Sequence, residues 1–525
     1  LKFTPIASVD STKDAFTVPK GFRWDPIIRW GDPLFKNSPA FDPTKPSAKA
    51  QALQFGYNND YLDIIETNRG GTEALLVCNH EYTNRAIMFP PATTADEEAE
   101  VLRTLKAAHG FAVVELERRR RGEKWSYVRG GYHNRRITAD TPFAFDGPAA
   151  GSDLLKTKAD PEGRVALGTF GNCSGGTTPW GTVLSGEENF NGYFVADPAA
   201  RGSKRYGLTN AASSYGWEKI DPRFDATQAD YAHEPNRFGY IVEIDPTDPK
   251  STPVKHTAMG RMKHEGANVR VDDDGTVVAY MGDDEKFDYL YKFVAKNKYR
   301  KGDSRAARKH NLKLLSEGDL YVAKFSGVQR EDNANLGTGE WIPLTKNGKS
   351  AVAGFTLEEV LIFTREAADA VKATPMDRCE DVQPDLKTGR VYVSARTTTR
   401  GAPRASRRPT RRTRARRTRT VTSSRSPSAG AGPTPRSSSG TCSWSVVTTA
   451  RREPISAGGK VRSRRSRART TSRSTRPATC GSPPTASPAR SRRTTACSRC
   501  RCTAGSVVTW CSSWRCRCRP RPVAR

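Results

Sequence analysis

A mainly β fold is predicted by three observations. Apolar runs are short and broken by Gly, Asp, Asn and Pro; helical periodicity holds over two stretches; and one turn-then-strand unit recurs along the chain. The runs are Ala74 to Cys78, Thr182 to Ser185, Tyr240 to Ile244, Val277 to Met281, Tyr289 to Val294 and Val391 to Ser394. Each is too short for a stable helix and rich in the branched and aromatic side chains that suit a pleated surface. The helical stretches are Ala95 to His109 and Leu357 to Val371, the second opened by Thr356 with Glu359 at capping-box spacing. Helices are therefore expected as insertions between strands.

The recurring unit is an Asp-led turn, a Gly and a strand. It occurs at Asp272-Asp273-Asp274-Gly275-Thr276-Val277 and again at Asp385-Leu386-Lys387-Thr388-Gly389-Arg390-Val391. Such units suggest propeller blades; a β-sandwich of hairpins accounts for the same pattern.

Charge divides the chain in two. Its 525 residues carry a formal net charge of +30. The last 130 residues hold 32 Arg and Lys460 against the single acid Glu453, a net of +32, which leaves residues 1–395 at −2. That near-neutral body argues against a specific nucleic-acid binder. It is long enough for a large core, and no apolar run approaches the roughly 18 residues of a membrane helix, so no integral membrane segment is expected. The chain opens at Leu1, so an export signal cannot be read from it. Three cysteines, Cys78, Cys173 and Cys379, precede residue 396; a disulfide framework is not expected.

Residues 396–525 are a different material. They contain no Leu, Phe, Tyr, Asn, Gln, Asp or His, so they are expected to be disordered and to bind polyanions non-specifically. GC-rich codons read out of frame yield this mixture of Arg, Pro, Ala, Ser, Thr and Cys. Suitable codons for Ala468 to Ala486, shifted by one base, read Pro-Asp-Asn-Leu-Ala-Phe-Asp-Pro-Ala-Gly-Asn-Leu-Trp-Ile-Ser-Thr-Asp-Gly, which is ordinary strand-and-turn sequence with another copy of the repeat. We therefore read a frameshift near residue 395.

Acids and amides cluster just after apolar strands, at Asn79-His80-Glu81, Glu187-Glu188-Asn189 and Asp283-Asp284-Glu285, with further sets at His264-Glu265-Gly266-Ala267-Asn268 and Arg378-Cys379-Glu380-Asp381. Any one of these reads first as a solvated acidic turn. Five in one topological position point to a shared site, and converging carboxylates require cations, which makes hard metals with oxygen ligands the expected occupants. Cys173 lies in the Gly-rich loop Gly171-Asn172-Cys173-Ser174-Gly175-Gly176. It can ligate iron, act as a nucleophile with His80, His233 or His264 as base, or be an inert buried thiol. Arg378 can offer its planar fork to an anion or pair with a neighbouring acid.

Several motifs together carry a family resemblance. Gly21-Phe22-Arg23-Trp24, Ile28-Arg29-Trp30-Gly31-Asp32-Pro33, Phe55-Gly56-Tyr57-Asn58-Asn59-Asp60, the Cys173 loop, Glu234-Pro235-Asn236-Arg237-Phe238-Gly239-Tyr240, His264-Glu265-Gly266 and Met376-Asp377-Arg378-Cys379-Glu380-Asp381 resemble PhoX-type bacterial alkaline phosphatases. The resemblance runs from about Gly21 to Ser394. It implies a six-bladed β-propeller with helical insertions over 1–395, its last blades missing or scrambled. It also implies two Fe3+ and three Ca2+ with a bridging oxo group, hydrolysis of small phosphomonoesters, export to the bacterial periplasm or beyond, and a monomer. Carried over by residue, Cys173 would be the thiolate on iron, Glu265 and Glu380 would bind iron or bridge it to calcium, and Arg378 would contact phosphate. Glu187, Asp283 and Glu285 are expected as further metal ligands. Cys379 stands where family members usually have Pro. The alternatives are another calcium-dependent propeller esterase or lactonase, a non-enzymatic metal-binding propeller, and a polyanion binder acting through the Arg-rich tail. Loss of the closing blades predicts that this exact chain is inactive.

Overall fold

The computed structural model describes residues 4–10, 12–328, 336–396 and 441–446. The chain divides into two compact units, Leu1–Thr448 and Thr449–Arg525, and the described residues all belong to the first. Among the described residues, four larger β-sheets, two short two-stranded ribbons and helical insertions make up this unit, so the mainly β expectation holds. The first sheet runs Asn59–Glu66, Glu73–His80, Gly110–Glu117 and Ser126–Tyr127 in chain order, all antiparallel, with Arg135–Ile137 also on Gly110–Glu117. The second has six strands in the order Val165–Leu167, Pro142–Asp146, Val254–His256, Ile241–Ile244, Val183–Glu187 and Asn172–Thr177. The third is a five-stranded antiparallel meander, His264–Val271, Val277–Asp283, Leu290–Ala295, Gly318–Val328 and Leu336–Pro343. Cys379–Pro384, Val391–Arg396 and Thr441–Val446 form the fourth.

All six apolar runs fall on strands, with Thr182, Tyr240 and Tyr289 standing one residue before theirs. The Asp-led repeat occupies one position in two sheets, the turn between the first and second strands. Gly275 (φ +85°) and Gly389 (φ +71°) supply the left-handed residue there. The turns close through Asp272 N–H to Thr276 O at 2.9 Å and Asp385 N–H to Arg390 O at 2.7 Å.

The first expected helix is Ala95–Ala107, with Thr94 and Glu97 making a full capping box. The second expected helix is broken. Leu357–Ile362 keeps its Thr356/Glu359 box, and Thr364–Ala370 restarts after Phe363. The Thr364 hydroxyl donates back to Val360 O (2.9 Å) and accepts the Arg261 N–H (2.9 Å), which ties the break to a distant loop.

Of the predicted tail, the structure describes Arg396 and the strand Thr441–Val446; the remainder lies outside the described residues. That strand pairs antiparallel with Val391–Arg396. Its apolar residues Cys442, Trp444 and Val446 recur every second position, the period a strand requires. Local alternation there departs from the composition of the tail as a whole.

A large aromatic core lies beside the second and third sheets, with Phe170, Tyr193, Trp217, Phe224 and Phe238 fully or almost fully buried. Beneath it sits an ionic cluster. His256, fully buried, has Nδ1 3.0 Å from Asp146 and Nε2 2.8 Å from Glu243. Burial alone would lower the His256 pKa, but Asp146 and Glu243 together outweigh it and raise it from 6.5 to about 10. The folded state therefore holds a proton that the unfolded chain releases near pH 6.5. The resulting stability is complete below pH 6.5 and is lost as pH rises through about 10. Melting curves from pH 6 to pH 10.5 are expected to show a falling Tm that flattens in His256→Asn; an identical slope in both proteins would exclude His256 as its source.

Candidate functional site

The four sheets present one strand each to a common line, because Asn59–Glu66, Asn172–Thr177, His264–Val271 and Cys379–Pro384 lie side by side in that order. Each begins with the same irregularity. Pairing runs Asn59↔His80 then Leu62↔Cys78, Asn172↔Glu187 then Gly175↔Ser185, His264↔Asp283 then Ala267↔Met281, and Cys379↔Ala395 then Val382↔Val393. In every case two residues oppose one, which is a β-bulge, and a bulge re-aims its side chains. The first bulged residue is Asp60, Cys173, Glu265 and Glu380 in turn.

Neighbouring sheets interlock at the residue facing each bulge. Asn79 Nδ2 donates to Cys173 O. A Cβ added to Gly186 would stand 2.6 Å from Glu265 O, and one added to Gly282 would stand 2.3 Å from Cys379 O. Only a glycine lets those backbones approach so closely. Cys379 itself is fully buried among Leu290, Ala323, Val382, Val391 and Val393, so its thiol is part of the packing.

The partner strands end just before Glu81, Glu188 and Asp284, and these acids return to the same place. Ligand atoms of Asp60, Glu81 and Cys173 lie within 4.8 Å of one another, and so do those of Cys173, Glu188 and Glu265. The Cys173 sulfur is 3.3 Å from Glu265 Oε1 and 3.5 Å from Asp60 Oδ2. Arg378, held at φ +50°, pairs with Asp284, and Glu380 adds to the field on its guanidinium.

Burial and mutual repulsion dominate the electrostatics. Burial, then Asp284 and Glu81, push Glu188 up to about 9. Burial and Asp60 push Glu81 up to about 7. Burial and Glu188 hold Glu265 well above the carboxylate range, and the Cys173 thiol is driven far upward by burial, Glu265, Asp60 and Glu188. Glu188 Oε1 and Asp284 Oδ1 are buried without a hydrogen-bond partner among the described residues. So many acids stripped of water call for cations. Oxygen donors around one sulfur suit hard ions together with a transition metal that accepts a thiolate.

Of the residues expected from sequence, Cys173 and Glu265 stand in this group, with Arg378 and Glu380 beside it. Glu187, Asp283 and Glu285 do not. Glu187, fully buried, accepts Lys255 Nζ at 2.6 Å and the N–H groups of Gly239 (3.0 Å) and Tyr240 (3.2 Å). Asp283 is bound by Arg365 through two bonds of 2.7 and 2.5 Å. Glu285 pairs with Lys263 at 2.7 Å, which outweighs its partial burial and holds its carboxyl at about 2. Adjacent residues at a strand end face opposite ways, so Glu188 and Asp284 take the place expected for Glu187 and Asp283. Asp60 and Glu81 were also missed, although both sit in motifs the sequence displays.

The histidines considered as bases are engaged elsewhere or stand apart from the sulfur. His80 Nε2 accepts Gly56 N–H at 3.3 Å, and His264 Nε2 bonds Gly260 O at 2.9 Å. The partners of the sulfur are carboxylates, which disfavours a cysteine nucleophile.

Comparison with known proteins gives the family. The sequence profile of the family described as Alkaline phosphatase PhoX matches residues 1–428. Pseudomonas fluorescens PhoX, solved in complex with vanadate, a transition state analogue, is 44% identical with a TM-score of 0.66. That similarity covers 72% of this chain and 65% of the solved one, so the chain spans just under two thirds of that relative. Among curated proteins, no sequence matches the chain. With the profile covering most of its length, the chain belongs to the PhoX alkaline phosphatase family.

Proposed function

We propose that this sequence encodes a calcium-dependent alkaline phosphatase that hydrolyses small phosphomonoesters at an iron and calcium site. The repeated bulge carries the reading: four sheets each direct one ligand-type residue, Asp60, Cys173, Glu265 or Glu380, toward a line where Glu81, Glu188, Asp284 and Arg378 also end. Cys173 would hold iron, and the surrounding carboxylates would hold iron and calcium. When bound, these ions neutralise phosphoryl charge and act as Lewis acids. Arg378 would supply a planar pair of donors for phosphoryl oxygens, and its pairing with Asp284 holds that fork in place. The relative bound to vanadate, a transition state analogue, supports the same chemistry here.

The sheet arrangement also supports a six-bladed propeller for the intact protein. Asn79, Gly186 and Gly282 each meet the backbone of the following sheet, and Ser394 holds their position in the fourth sheet by register. Ser394 therefore calls for a further sheet after it, in the region where the reading frame departs. We propose export to the periplasm or beyond and a monomeric state on family grounds. Among the described residues, no helix is long and apolar enough to cross a membrane.

Restoring the frame after Ala395 is expected to yield turnover of p-nitrophenyl phosphate with calcium and iron present, and none after full chelation. The 525-residue chain as written is expected to be inactive, since a tail read out of frame would not supply the closing sheets and their ligands. Turnover that survives chelation would exclude the metal reading, and full activity of the unaltered chain would exclude the frameshift.

A further inference from the structure

Each site acid at the end of a second strand follows a buried polar residue: His80 precedes Glu81, Glu187 precedes Glu188, and Asp283 precedes Asp284. The third pair is the most elaborately held. Arg365, 1% exposed on the inserted helix Thr364–Ala370, grips both oxygens of Asp283, and its Nη1 donates to Arg205 O at 3.2 Å. Arg205 in turn binds Asp288 through bonds of 2.5 and 3.0 Å and Asp369 at 2.8 Å.

The turn from Asp283 to Asp288 is thereby fastened at both ends, and it carries the Arg378 segment. Met376 N–H donates to Asp288 O at 2.8 Å, Phe287 N–H donates to Met376 O at 2.9 Å, and the backbones of Lys286 and Asp377 pair as an isolated antiparallel β-bridge. Phe287 (φ +68°) and Arg378 (φ +50°) both adopt the left-handed conformation that non-glycine residues avoid. Such backbone persists only where its surroundings over-determine it. The ion pairs and the paired backbone do so here.

We propose that Arg365 is a positioning residue for this site: by clamping Asp283 it sets where Asp284 stands, and through the Asp284–Arg378 pair it sets the phosphate-binding fork. Buried and bonded to Asp283 and Arg205 O, Arg365 would act through Asp283 rather than on substrate or ion. The inference rests on the reading of Asp284 and its neighbours as a cation site, so it is tested by cation binding rather than turnover.

Terbium(III), a hard oxygen-seeking ion, is titrated into the 525-residue chain and followed by luminescence sensitised through nearby Tyr and Trp. Arg365→Gln is expected to weaken terbium binding about 10- to 100-fold, the range seen when groups behind a metal ligand are removed. Arg365→Lys, which restores the charge, is expected to recover most of it. A variant that melts at lower temperature yet binds terbium as wild type does would show a structural role alone and overturn the proposal. If Arg365→Gln does not fold, Asp283→Asn, which leaves the guanidinium in place, is expected to weaken binding in the same direction; unchanged binding there would likewise overturn it. Absence of terbium binding in the 525-residue chain and in the frame-restored chain alike would overturn the cation site itself, and the positioning role with it; binding in the frame-restored chain alone moves the same comparison of variants there.

Discussion

Glu188→Gln is expected to lower kcat/KM for p-nitrophenyl phosphate on the order of 10²- to 10³-fold in the frame-restored chain, while Glu187→Gln lowers it far less. Both residues are almost wholly excluded from water, at 3% and 0% exposure, so burial does not separate them. Their partners do. Glu188 has a buried oxygen with no hydrogen-bond partner among the described residues and faces Cys173 and Glu265, and an amide there removes a charge that the cations need. Glu187 is already paired with Lys255, fully buried, and with two backbone N–H groups. Glutamine keeps its acceptor for those groups but strands the ammonium, at a cost of ~3–5 kcal/mol of stability. Burial pulls the Lys255 pKa down to about 8 even with Glu187 present, so its neutral form becomes more accessible once the carboxylate is gone. Activity assays and denaturant melts on the two variants check the contrast. Equal losses of activity would show that strand parity does not decide which glutamate serves the site.

Cys173→Ala is expected to remove iron, seen as a fall in iron per chain by elemental analysis and as loss of the visible thiolate-to-iron absorption. The remaining donors are carboxylate oxygens, which retain calcium and bind iron less selectively. The environment adds a pH dependence. Burial and four surrounding acids hold the thiol protonated in the absence of cations, so iron uptake must release that proton and is expected to strengthen as pH rises. Cys173→Ser, with a hard oxygen in place of sulfur, separates loss of ligand type from loss of volume. Stoichiometric iron in Cys173→Ala would exclude thiolate ligation.

Much of the fold was legible because the relevant forces are local. Val277–Asp283 and Leu290–Ala295 are apolar runs bounded by turn residues, and the capping boxes at Thr94 and Thr356 announce their helices. The break at Phe363 was not legible, since the Arg261 N–H that binds Thr364 lies 103 residues away in sequence. The site divides in the same manner. Cys173 and Glu265 stand out as a lone thiol in a Gly-rich segment and an acid in a distinctive motif, although that segment, expected as a loop, is the bulged strand Asn172–Thr177. At Glu187-Glu188 and Asp283-Asp284 two acids are adjacent, and composition cannot choose between them.

The sequence by itself determined the β class, six of the apolar strands, the motifs that supply ligands, and the change of material near residue 395, because each follows from residue type and spacing along the chain; the four bulged strands that carry the site were not among those six. Tertiary structure alone decided that Glu188 and Asp284 enter the site while Glu187 and Asp283 anchor it. Neighbouring strand residues point to opposite faces. Which face becomes the site depends on bulge register and on the distant cations Lys255 and Arg365, which no local pattern specifies.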